Sequence, residues 1–509
     1  MTGAESLLQT LVAGGVDTCF MNPGTSEMHF VAALDRVSRI RGVLCLFEGV
    51  CSGAADGYAR ALGKAAATLL HLGPGLGNAL ANFHNARKAR SPVVSIVGEH
   101  ATAHLRVDAP LTSDIATFAR AVSTHVRVAA SADDVGPAAA ETIAAAWGPP
   151  GQIAHLIIPA DYSWSQTAIQ GGAVIPPVRK VPAIDKAAAL LREPGTAILL
   201  GGTAANHRAL RAAGRIAAAT GVRVITARNV GKIASGRSSF EAPQVPYFPE
   251  GALPFLADVR NLLLVEAERP VSFFAYPGKP SYMTPAGCID HILARRDEDG
   301  TAALEALAAG LPDIRLPERP APASPSEDVP LTLDHIGLTV AALLPEGALI
   351  ADEMVSSAGV ILNHLKSAAA HEFMPVAGGS IGQGLPVAVG AAIACPDRKI
   401  VALEADGSAM YTLQALWTMA RERLDVTVVI LANRRYRILD IEMQRTCAQG
   451  FGRMSNDMID IGRPDLDFVK LSEGLGVEAS RATTARAFTD QFRQALQHRG
   501  PRLIEAAIG

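Results

Sequence analysis

Short apolar segments alternate with alanine-rich amphipathic segments along most of this chain, and this alternation limits the possible folds more than any other feature. Apolar runs of roughly four to eight residues are typical of buried strands, and strands that alternate with helices usually form parallel sheets. The pattern therefore predicts an α/β protein with doubly wound parallel sheets. Four of the expected strands are residues 92–98, 196–202, 261–267 and 426–433.

Two segments have the composition of linkers between domains. Residues 171–182 and 315–330 are rich in proline and poor in long apolar runs, which favours irregular connections. A chain of 509 residues is also expected to form about three domains, at roughly 150 residues each. The linkers predict the following domains: an N-terminal domain at 1–170, a middle domain at 183–314 and a C-terminal domain at 331–509.

Charge and composition exclude several classes of protein. The net charge is −3 and no basic tract is present, which argues against a nucleic-acid partner. No apolar run reaches the roughly 18 residues of a membrane span, and the N-terminus lacks the pattern of a signal peptide. The six cysteines are scattered and form no CxxC pair, which is typical of free thiols. We therefore expect a cytoplasmic protein without a membrane partner.

A polar pair in the C-terminal segment predicts a metal site. Asp406 follows the apolar residues 400–403 and precedes a segment with helical periodicity, whereas Asn433 ends the next expected strand. Parallel strands place their carboxyl ends at one edge of a sheet, where ligands bind. Carboxylate and amide oxygens are ligands that Mg²⁺ prefers. Either residue alone is better explained as a helix cap or a strand end, but the pair favours a site.

Asp406-Gly407-Ser408, followed by Asn433 at the end of the next strand, resembles the cofactor motif of thiamine diphosphate (ThDP) enzymes. The resemblance implies that Asp406, Asn433 and the carbonyl of Arg435 hold Mg²⁺ against the diphosphate. It also implies that Gly407 and Ser408 contact the cofactor. Because the motifs extend over the whole chain, the implied fold has a pyrimidine-binding domain, a middle domain and a diphosphate-binding domain.

The motif departs from the usual family pattern at four positions. Ala405 and Ala432 replace a glycine and an asparagine that are usual in the family. Arg434 and Arg435 stand where small residues are more common, so they could crowd the cofactor or attract an anionic substrate. None of these differences removes a metal ligand.

A glutamate in the N-terminal domain has the position of the family's catalytic acid. Residues 46–60, LFEGVCSGAADGYAR, resemble the helix that carries this acid, which corresponds to Glu48. The resemblance implies that Glu48 hydrogen-bonds N1′ of the cofactor's aminopyrimidine and promotes loss of the C2 proton. Alone, Glu48 would be better explained as a favourable charge at a helix N-terminus, but the neighbouring ADGYAR sequence and the Asp406 pair favour the catalytic role.

Two further segments resemble cofactor-binding parts of the family. Residues 20–30 contain an NPG sequence that the family places near the reacting carbons, and residues 377–390 resemble the segment that supports the cofactor. Ile381 would lie under the thiazolium ring, although core packing would also explain an isoleucine. The resemblance therefore adds these cofactor-binding residues: Asn22, Pro23, Gly24, Gly379 and Ile381.

The resemblance to benzoylformate decarboxylase implies a reaction that releases CO₂ from a 2-oxo acid. Ser26 and His71 match the serine that binds the substrate carboxylate and a histidine that transfers protons. The second catalytic histidine of that subfamily is missing, because residues 270–278 contain none. His100 and His104 could replace it, although surface histidines are the simpler explanation. Glu99 stands where the family favours glutamine.

Two alternatives remain open at this stage. Acetolactate synthase, a carboligase that joins two 2-oxo acids, is similar in motif order but is usually longer and carries FAD in its middle domain. FAD is unlikely here, because the middle segment lacks a GxGxxG turn. A catalytically silent subunit of the same fold is the second alternative. The resemblance also implies a homodimer or homotetramer with active sites at the interface between chains.

Overall fold

The computed structural model describes residues 1–312, 318–446 and 452–508. Residues 315–317 of the expected second linker, Cys447 and the final residue of the C-terminal domain lie outside the described residues. The described chain forms three sheets of six, four and seven strands, each packed with helices. The expected three-domain α/β architecture is therefore confirmed, whereas the exact domain boundaries stay a prediction.

The first sheet is parallel throughout, with strand order β2-β1-β3-β4-β6-β5. Apolar side chains cover both of its faces, so strands such as β3 are buried along their whole length. The strands are β1 (Thr18–Met21), β2 (Arg41–Leu44), β3 (Ala66–Leu70), β4 (Val93–Glu99), β5 (His125–Val128) and β6 (Ile153–Pro159). The helices are α1 (Gly3–Ala13), α2 (Met28–Leu34), α3 (Glu48–Leu62), α4 (Leu72–Ala89), α5 (Ile115–Arg120), α6 (Val135–Trp147) and α7 (Ala160–Trp164), with 3₁₀ turns at Thr25–Glu27 and Leu105–Val107.

The middle sheet has four parallel strands in the order β11-β10-β7-β8. Its first strand, β7, is central: the chain moves outward to β8 and then returns to the other side of β7 to form β10. The strands are β7 (Thr196–Leu200), β8 (Arg223–Thr226), β10 (Asn261–Val265) and β11 (Ile289–Ala294), while β9 (Ile233–Ser235) belongs to another sheet. The helices are α8 (Asp185–Leu190), α9 (His207–Thr220), α10 (Pro249–Phe255) and α11 (Gly300–Ala309).

The third sheet has the order β16-β17-β15-β14-β12-β13-β9 and is parallel except at one edge. The strands are β12 (Leu349–Glu353), β13 (His371–Pro375), β14 (Ile400–Ala405), β15 (Val426–Ala432), β16 (Glu478–Ala482) and β17 (Arg502–Ala507). The helices are α12 (Leu333–Leu343), α13 (Ala358–Leu365), α14 (Gly384–Ala394), α15 (Asp406–Ala409), α16 (Ala415–Glu422), α17 (Arg437–Thr446), α18 (Arg453–Asp457), α19 (Phe468–Gly474) and α20 (Ala485–Gln497), with a 3₁₀ turn at Val355–Ser357.

The strand β9 forms the one antiparallel edge of the third sheet. It lies within the expected middle segment of the chain, yet it pairs antiparallel with β13, with Phe373 opposite Ile233. The middle segment thereby covers an edge that would otherwise expose unpaired backbone groups. No apolar alternation marks this three-residue strand in the sequence, so sequence patterns could not have identified it.

The first and third domains are joined by close packing of α3 against α14. A β-carbon on Gly57 would lie 2.2 Å from the Val387 carbonyl oxygen, and one on Gly390 would lie 1.9 Å from the Ala54 carbonyl oxygen. Both glycines therefore allow an approach between backbones that a larger residue would block. In this way the Glu48 helix lies against the segment that follows the expected cofactor-supporting loop.

The four strands expected from the sequence are all present. They occur as β4, β7, β10 and β15, each with its ends within two residues of the expected position. Residues 171–182 contain no helix or strand, as expected of a linker. A search of the described helices finds none with the length and apolar character that a membrane crossing requires.

Candidate active site

Asp406 lies where β14 turns into the short helix α15. Its side chain is buried, with one carboxylate oxygen accepting from the Gly407 N–H at 2.9 Å and the other from the Arg434 N–H at 2.6 Å. Burial raises the pKa of Asp406, because the charged form loses its hydration. The carboxylate therefore bridges the loops that follow β14 and β15, and a cation beside it would offset the cost of its burial.

The other two expected metal ligands lie on the loop that Asp406 contacts. The Asn433 side-chain oxygen accepts from the Arg435 N–H at 2.9 Å, and the Arg435 carbonyl accepts from the Arg437 N–H at 2.8 Å. Because Asp406 bonds to the residue between Asn433 and Arg435, all three expected ligands meet at this edge.

The two arginines that departed from the family pattern turn away from this edge. The Arg434 guanidinium pairs with Asp465 at 2.7 Å, and the Arg435 guanidinium pairs with Asp440. Neither charged group therefore crowds the turn at Asp406. The backbone of Arg434 has a φ of +59°, which is unusual for a residue with a side chain and marks a sharply turned loop.

The turn at Asp406 has the chemistry of a magnesium–diphosphate site. In the described residues, no group of three or more histidine, cysteine or acidic side chains could hold a metal without help. A cation at Asp406 would thus need oxygen ligands from a bound molecule, as Mg²⁺ takes from phosphates. Gly407 has no space for a β-carbon, which would lie 2.4 Å from the Tyr436 ring. These residues fit the cofactor that the sequence motif implies.

The loop that carries Gly379 and Ile381 is fixed by polar contacts from two domains. Asn85 accepts from the Ser380 N–H at 3.1 Å and donates to the Ser380 carbonyl at 2.7 Å. Gly379 has a φ of +80°, a conformation that favours glycine. Ile381 is only half-buried and is not part of the hydrophobic core, so its side chain is free to support a ligand.

Two buried glutamates, which the sequence analysis did not identify, connect this loop with the Asp406 turn. Glu353 accepts from the N–H groups of Gly382 and Gly384 at 2.8 and 2.6 Å, while Glu404 accepts from the Ser408 hydroxyl at 2.5 Å. Burial raises the pKa of Glu353 to about 7, and burial together with the Glu353 charge raises that of Glu404. Their signal in the sequence is an acid at the end of an apolar strand.

Glu48 begins helix α3 at the edge of the first sheet. Its side chain is buried, and one carboxylate oxygen accepts from the Asn78 side chain at 3.0 Å. A β-carbon on Gly75 would lie 3.2 Å from the other oxygen and 3.5 Å from the His71 side chain. Glu48 and His71 therefore both lie beside Gly75, as neighbours at one sheet edge.

Ser26 and His71 meet through Glu27, a residue that the sequence analysis missed. The buried Glu27 carboxylate lies 2.8 Å from His71 Nδ1 and accepts from the Ser26 hydroxyl at 2.7 Å. Ser26 Oγ is itself 3.3 Å from His71 Nδ1. The hydroxyl proton of Ser26 is thus directed at Glu27, and binding a substrate carboxylate would require the hydroxyl to rotate. We call Ser26, Glu27 and His71 the serine–histidine cluster.

The NPG loop packs directly on the serine–histidine cluster. Asn22, Pro23 and Gly24 are half-buried after β1, and the Gly24 N–H donates to Glu27 at 2.8 Å. A β-carbon on Gly24 would lie 2.1 Å from His71 Nδ1. The glycine is therefore required by the close approach of the histidine ring, which gives this loop a role in holding His71.

Glu99 is the last residue of the neighbouring strand β4, and His100 and His104 follow it. The His100 and His104 rings are in edge contact with centroids 5.5 Å apart, and burial raises the pKa of Glu99. Among the described residues, no hydrogen bond connects His100 or His104 with His71. A role for these histidines in proton transfer therefore stays a hypothesis.

The middle domain contributes an aromatic wall in place of the missing histidine. A β-carbon on Gly379 would lie 2.4 Å from the Phe273 ring, so the segment 270–278 reaches the cofactor-supporting loop. The Tyr276 hydroxyl donates to Glu442 on α17 at 2.9 Å. The Arg445 guanidinium lies 4.0 Å from the Phe248 ring centroid and 4.3 Å from that of Tyr276. These contacts hold α17, which follows the Asn433 loop, against the middle domain.

Two models of one known family match this chain, one in its N-terminal part and one in its C-terminal part. The model for "Thiamine pyrophosphate enzyme, N-terminal TPP binding domain" matches residues 1–119. The corresponding model for the C-terminal TPP binding domain matches residues 355–506. The two matches include the serine–histidine cluster with Glu48 and the Asp406 turn, respectively.

Relatives and solved structures match over nearly the whole chain. A Mycobacterium tuberculosis protein named "Putative acetolactate synthase large subunit IlvX" is 50% identical over 519 residues, covering 100% of this chain and 99% of the relative. Benzoylformate decarboxylase of Pseudomonas aeruginosa is 29% identical and covers 96% of both chains. The solved structure of a Rhodococcus jostii RHA1 ThDP-dependent 4-hydroxybenzoylformate decarboxylase is 25% identical, with a TM-score of 0.85 and coverage of 100% and 99%.

Proposed function

This chain belongs to the thiamine diphosphate-dependent enzymes, and we propose that it catalyses the Mg²⁺-dependent, non-oxidative decarboxylation of a 2-oxo acid, with carboligation as a possible second outcome. The observation that carries this proposal is the serine–histidine cluster beside Glu48. A proton-transfer group and the cofactor-activating acid at one sheet edge suit a reaction in which CO₂ leaves and a proton replaces it.

The chain's own residues would divide the work of binding the cofactor. Asp406, Asn433 and the Arg435 carbonyl would hold Mg²⁺ and through it the diphosphate, while Ile381 would support the ring system. When bound, thiamine diphosphate supplies a nucleophilic carbon for the keto group and accepts the electron pair released with CO₂. Glu48 would hydrogen-bond the aminopyrimidine at N1′ and favour the tautomer that removes the C2 proton.

His71 is suited to transfer a proton at its second ring nitrogen. Nδ1 lies 2.8 Å from the Glu27 carboxylate, which favours the tautomer with the proton on Nδ1. Nε2 is then left to exchange a proton with the substrate. Glu27 is a positioning residue in this scheme, because it acts through His71 and Ser26. Ser26, after rotation of its hydroxyl, would donate to the substrate carboxylate.

The direct test is CO₂ release from a panel of aliphatic and aromatic 2-oxo acids, with ThDP and Mg²⁺ added. We expect at least one acid to be decarboxylated by the wild type and not by Glu48→Gln. Failure of every acid, in protein shown to bind the cofactor, would contradict the proposal. Such a result would favour a catalytically silent subunit, although the retained Glu48, Asp406 and Asn433 argue against that alternative.

An acetolactate synthase-type carboligase is the second candidate. It is favoured by one observation: the relative that is 50% identical over the whole chain carries that name. The same reactions decide between the two candidates if their products are separated. A 2-hydroxy-2-methyl-3-oxo acid formed from pyruvate would identify the carboligase, whereas an aldehyde would identify the decarboxylase.

We further propose that the active unit is at least a homodimer, with each cofactor held between the third domain of one chain and the first domain of another. The test refolds two inactive variants together, Glu48→Gln and Asp406→Ala. Mixed dimers would contain one cleft with both residues intact, so activity should return. Mixed dimers that form but stay inactive would show that each chain builds its own site.

A further inference from the structure

The middle domain has the topology of a nucleotide-binding sheet. In a doubly wound sheet, ligands bind outside the carboxyl ends of the strands, at the point where the strand order reverses. Here the reversal lies between β7 and β10, because β8 lies on one side of β7 and β10 lies on the other. The crevice at this point is formed by the turn after β7, the residue after β10 and the start of helix α11.

The side chain of Glu266 fills this crevice. Glu266 directly follows β10 and is only 3% exposed. One carboxylate oxygen accepts from the Thr203 N–H at 2.8 Å, in the turn after β7. The other accepts from the Gly300 N–H at 3.0 Å, at the first residue of α11. The carboxylate thus takes the backbone donors that a phosphate would use at such a turn and helix start.

The Arg179 side chain and the turn at Gly202 also contact the Glu266 carboxylate. The Arg179 guanidinium reaches in from the 171–182 linker, 3.1 Å from Glu266, and also donates to the Thr203 hydroxyl at 2.8 Å. A β-carbon on Gly202 would lie 2.3 Å from a Glu266 oxygen. A phosphate-binding site typically contains an arginine, a hydroxyl and backbone N–H groups. Here all of these donors contact the Glu266 carboxylate.

The backbone of Glu266 is strained. Its φ is +52°, a left-handed conformation that is costly for a residue with a side chain. Its hydrogen bonds to two separate loops offset that cost. Glu268, two residues later, has an ordinary conformation and an exposed side chain that pairs with Arg296 at 3.3 Å.

We infer that Glu266 is an internal anion that occupies the phosphate position of the middle domain and prevents a nucleotide cofactor such as FAD from binding there. A second anion could enter only by displacing a carboxylate with four donors. This inference concerns the middle domain alone and holds for either reaction considered above. Glu266 would thereby determine which cofactors the protein takes.

The test measures binding of ADP and FAD to the holoenzyme by calorimetry, with Mg²⁺–ThDP at saturation so that the active site is occupied. Glu266→Ala removes the internal anion and leaves Arg179 and the backbone donors free. We expect no detectable binding to the wild type, and binding of ADP to Glu266→Ala with a dissociation constant at least about tenfold below the lower limit measured for the wild type. Glu268→Ala is the matched control and should behave as the wild type.

Two further variants keep the test decisive if Glu266→Ala is unstable. Glu266→Gln removes the charge and can accept only one of the two backbone hydrogen bonds, so a phosphate should displace it more easily and ADP binding should rise, but less than in Glu266→Ala. Glu266→Ala combined with Arg179→Ala should lose the gained binding. Stoichiometric binding of ADP or FAD by the wild-type middle domain would overturn the inference. Folded Glu266→Ala and Glu266→Gln proteins that bind ADP no better than the wild type would overturn it as well.

Discussion

The third and middle sheets each place an acidic residue at the carboxyl end of a central strand, but the two residues are bound differently. Asp406 follows β14 and accepts two backbone hydrogen bonds, one on each oxygen. Glu266 follows β10 and has two backbone donors, a threonine hydroxyl and an arginine as partners. Among the residues that the structure describes, the first carboxylate has no cationic partner, whereas the second pairs with an arginine.

Under the two proposals above, this difference separates an edge that binds a ligand from an edge that the chain itself closes. The pKa of Asp406 is raised by its burial, so the folded protein bears a cost for the charge at that position. Such uncompensated groups are typical of functional sites, because a bound cation can provide the missing interaction. Equivalent positions in similar sheets therefore need not have equivalent functions.

The largest effect is expected at Asp406. Asp406→Ala removes the only carboxylate expected to bind the metal, so Mg²⁺-dependent binding of ThDP should fall below detection in calorimetry. Asp465→Ala, which affects only an exposed pair with Arg434 on the neighbouring loop, is the control and should bind the cofactor normally. If Asp406→Ala retained wild-type affinity, the open edge would lie elsewhere.

Substitution of Glu48 is expected to impair activation of the cofactor and to leave cofactor binding nearly unchanged. Glu48→Gln should bind Mg²⁺–ThDP within a few-fold of the wild type, since the diphosphate is held by the other domain. Hydrogen–deuterium exchange at C2 of the bound cofactor should slow by roughly two to four orders of magnitude, the usual contribution of a positioned acid–base group. Wild-type exchange by NMR in this variant would remove Glu48 from the mechanism.

Glu27 should have a smaller effect on catalysis. A glutamine in its place cannot accept from Gly24, Ser26 and His71 together, so His71 loses its fixed tautomer. We expect Glu27→Gln to lower kcat by about ten- to a hundredfold and to shift its pH profile, without a comparable change in cofactor affinity. Glu141→Gln, an exposed acid paired with Arg127, is the control. An unchanged pH profile would mean that Glu27 serves only the fold.

The two acids should also differ in their effect on stability. Glu266→Ala leaves buried donors without a partner and should lower the free energy of unfolding by about 2–4 kcal/mol. Asp406→Asn removes a charge that burial disfavours but leaves one of two backbone N–H groups without an acceptor, so it should destabilise the protein without cofactor less than Glu266→Ala does. The comparison between the two edges would fail if Asp406→Asn proved the more destabilising of the two.

The smallest effect is expected at Arg434. Its guanidinium is about 39% exposed and pairs with the half-exposed Asp465, and such surface pairs contribute about 0–1 kcal/mol. Arg434→Ala should therefore leave the ThDP dissociation constant and the substrate KM within about twofold of the wild type. A large increase in KM would show that the arginine turns inward when substrate binds.

The sequence by itself determined the α/β class, the cofactor family and the strand ends that carry Asp406 and Asn433. These features are local: an apolar run fixes a buried strand, and the polar residue directly after it must lie at the sheet edge. A motif of neighbouring residues can therefore predict the position of a site before the fold is known.

Only the tertiary structure decided which partners these residues have. Glu27 lies beside His71 because β1 and β3 are adjacent, and Glu266 closes a crevice formed by segments distant in sequence. The pairing of β9 with β13 of the third sheet likewise depends on packing between domains. Hydrogen bonds between distant segments leave no periodic signal in the chain, so whether a sheet edge is open or closed can be read only from the folded structure.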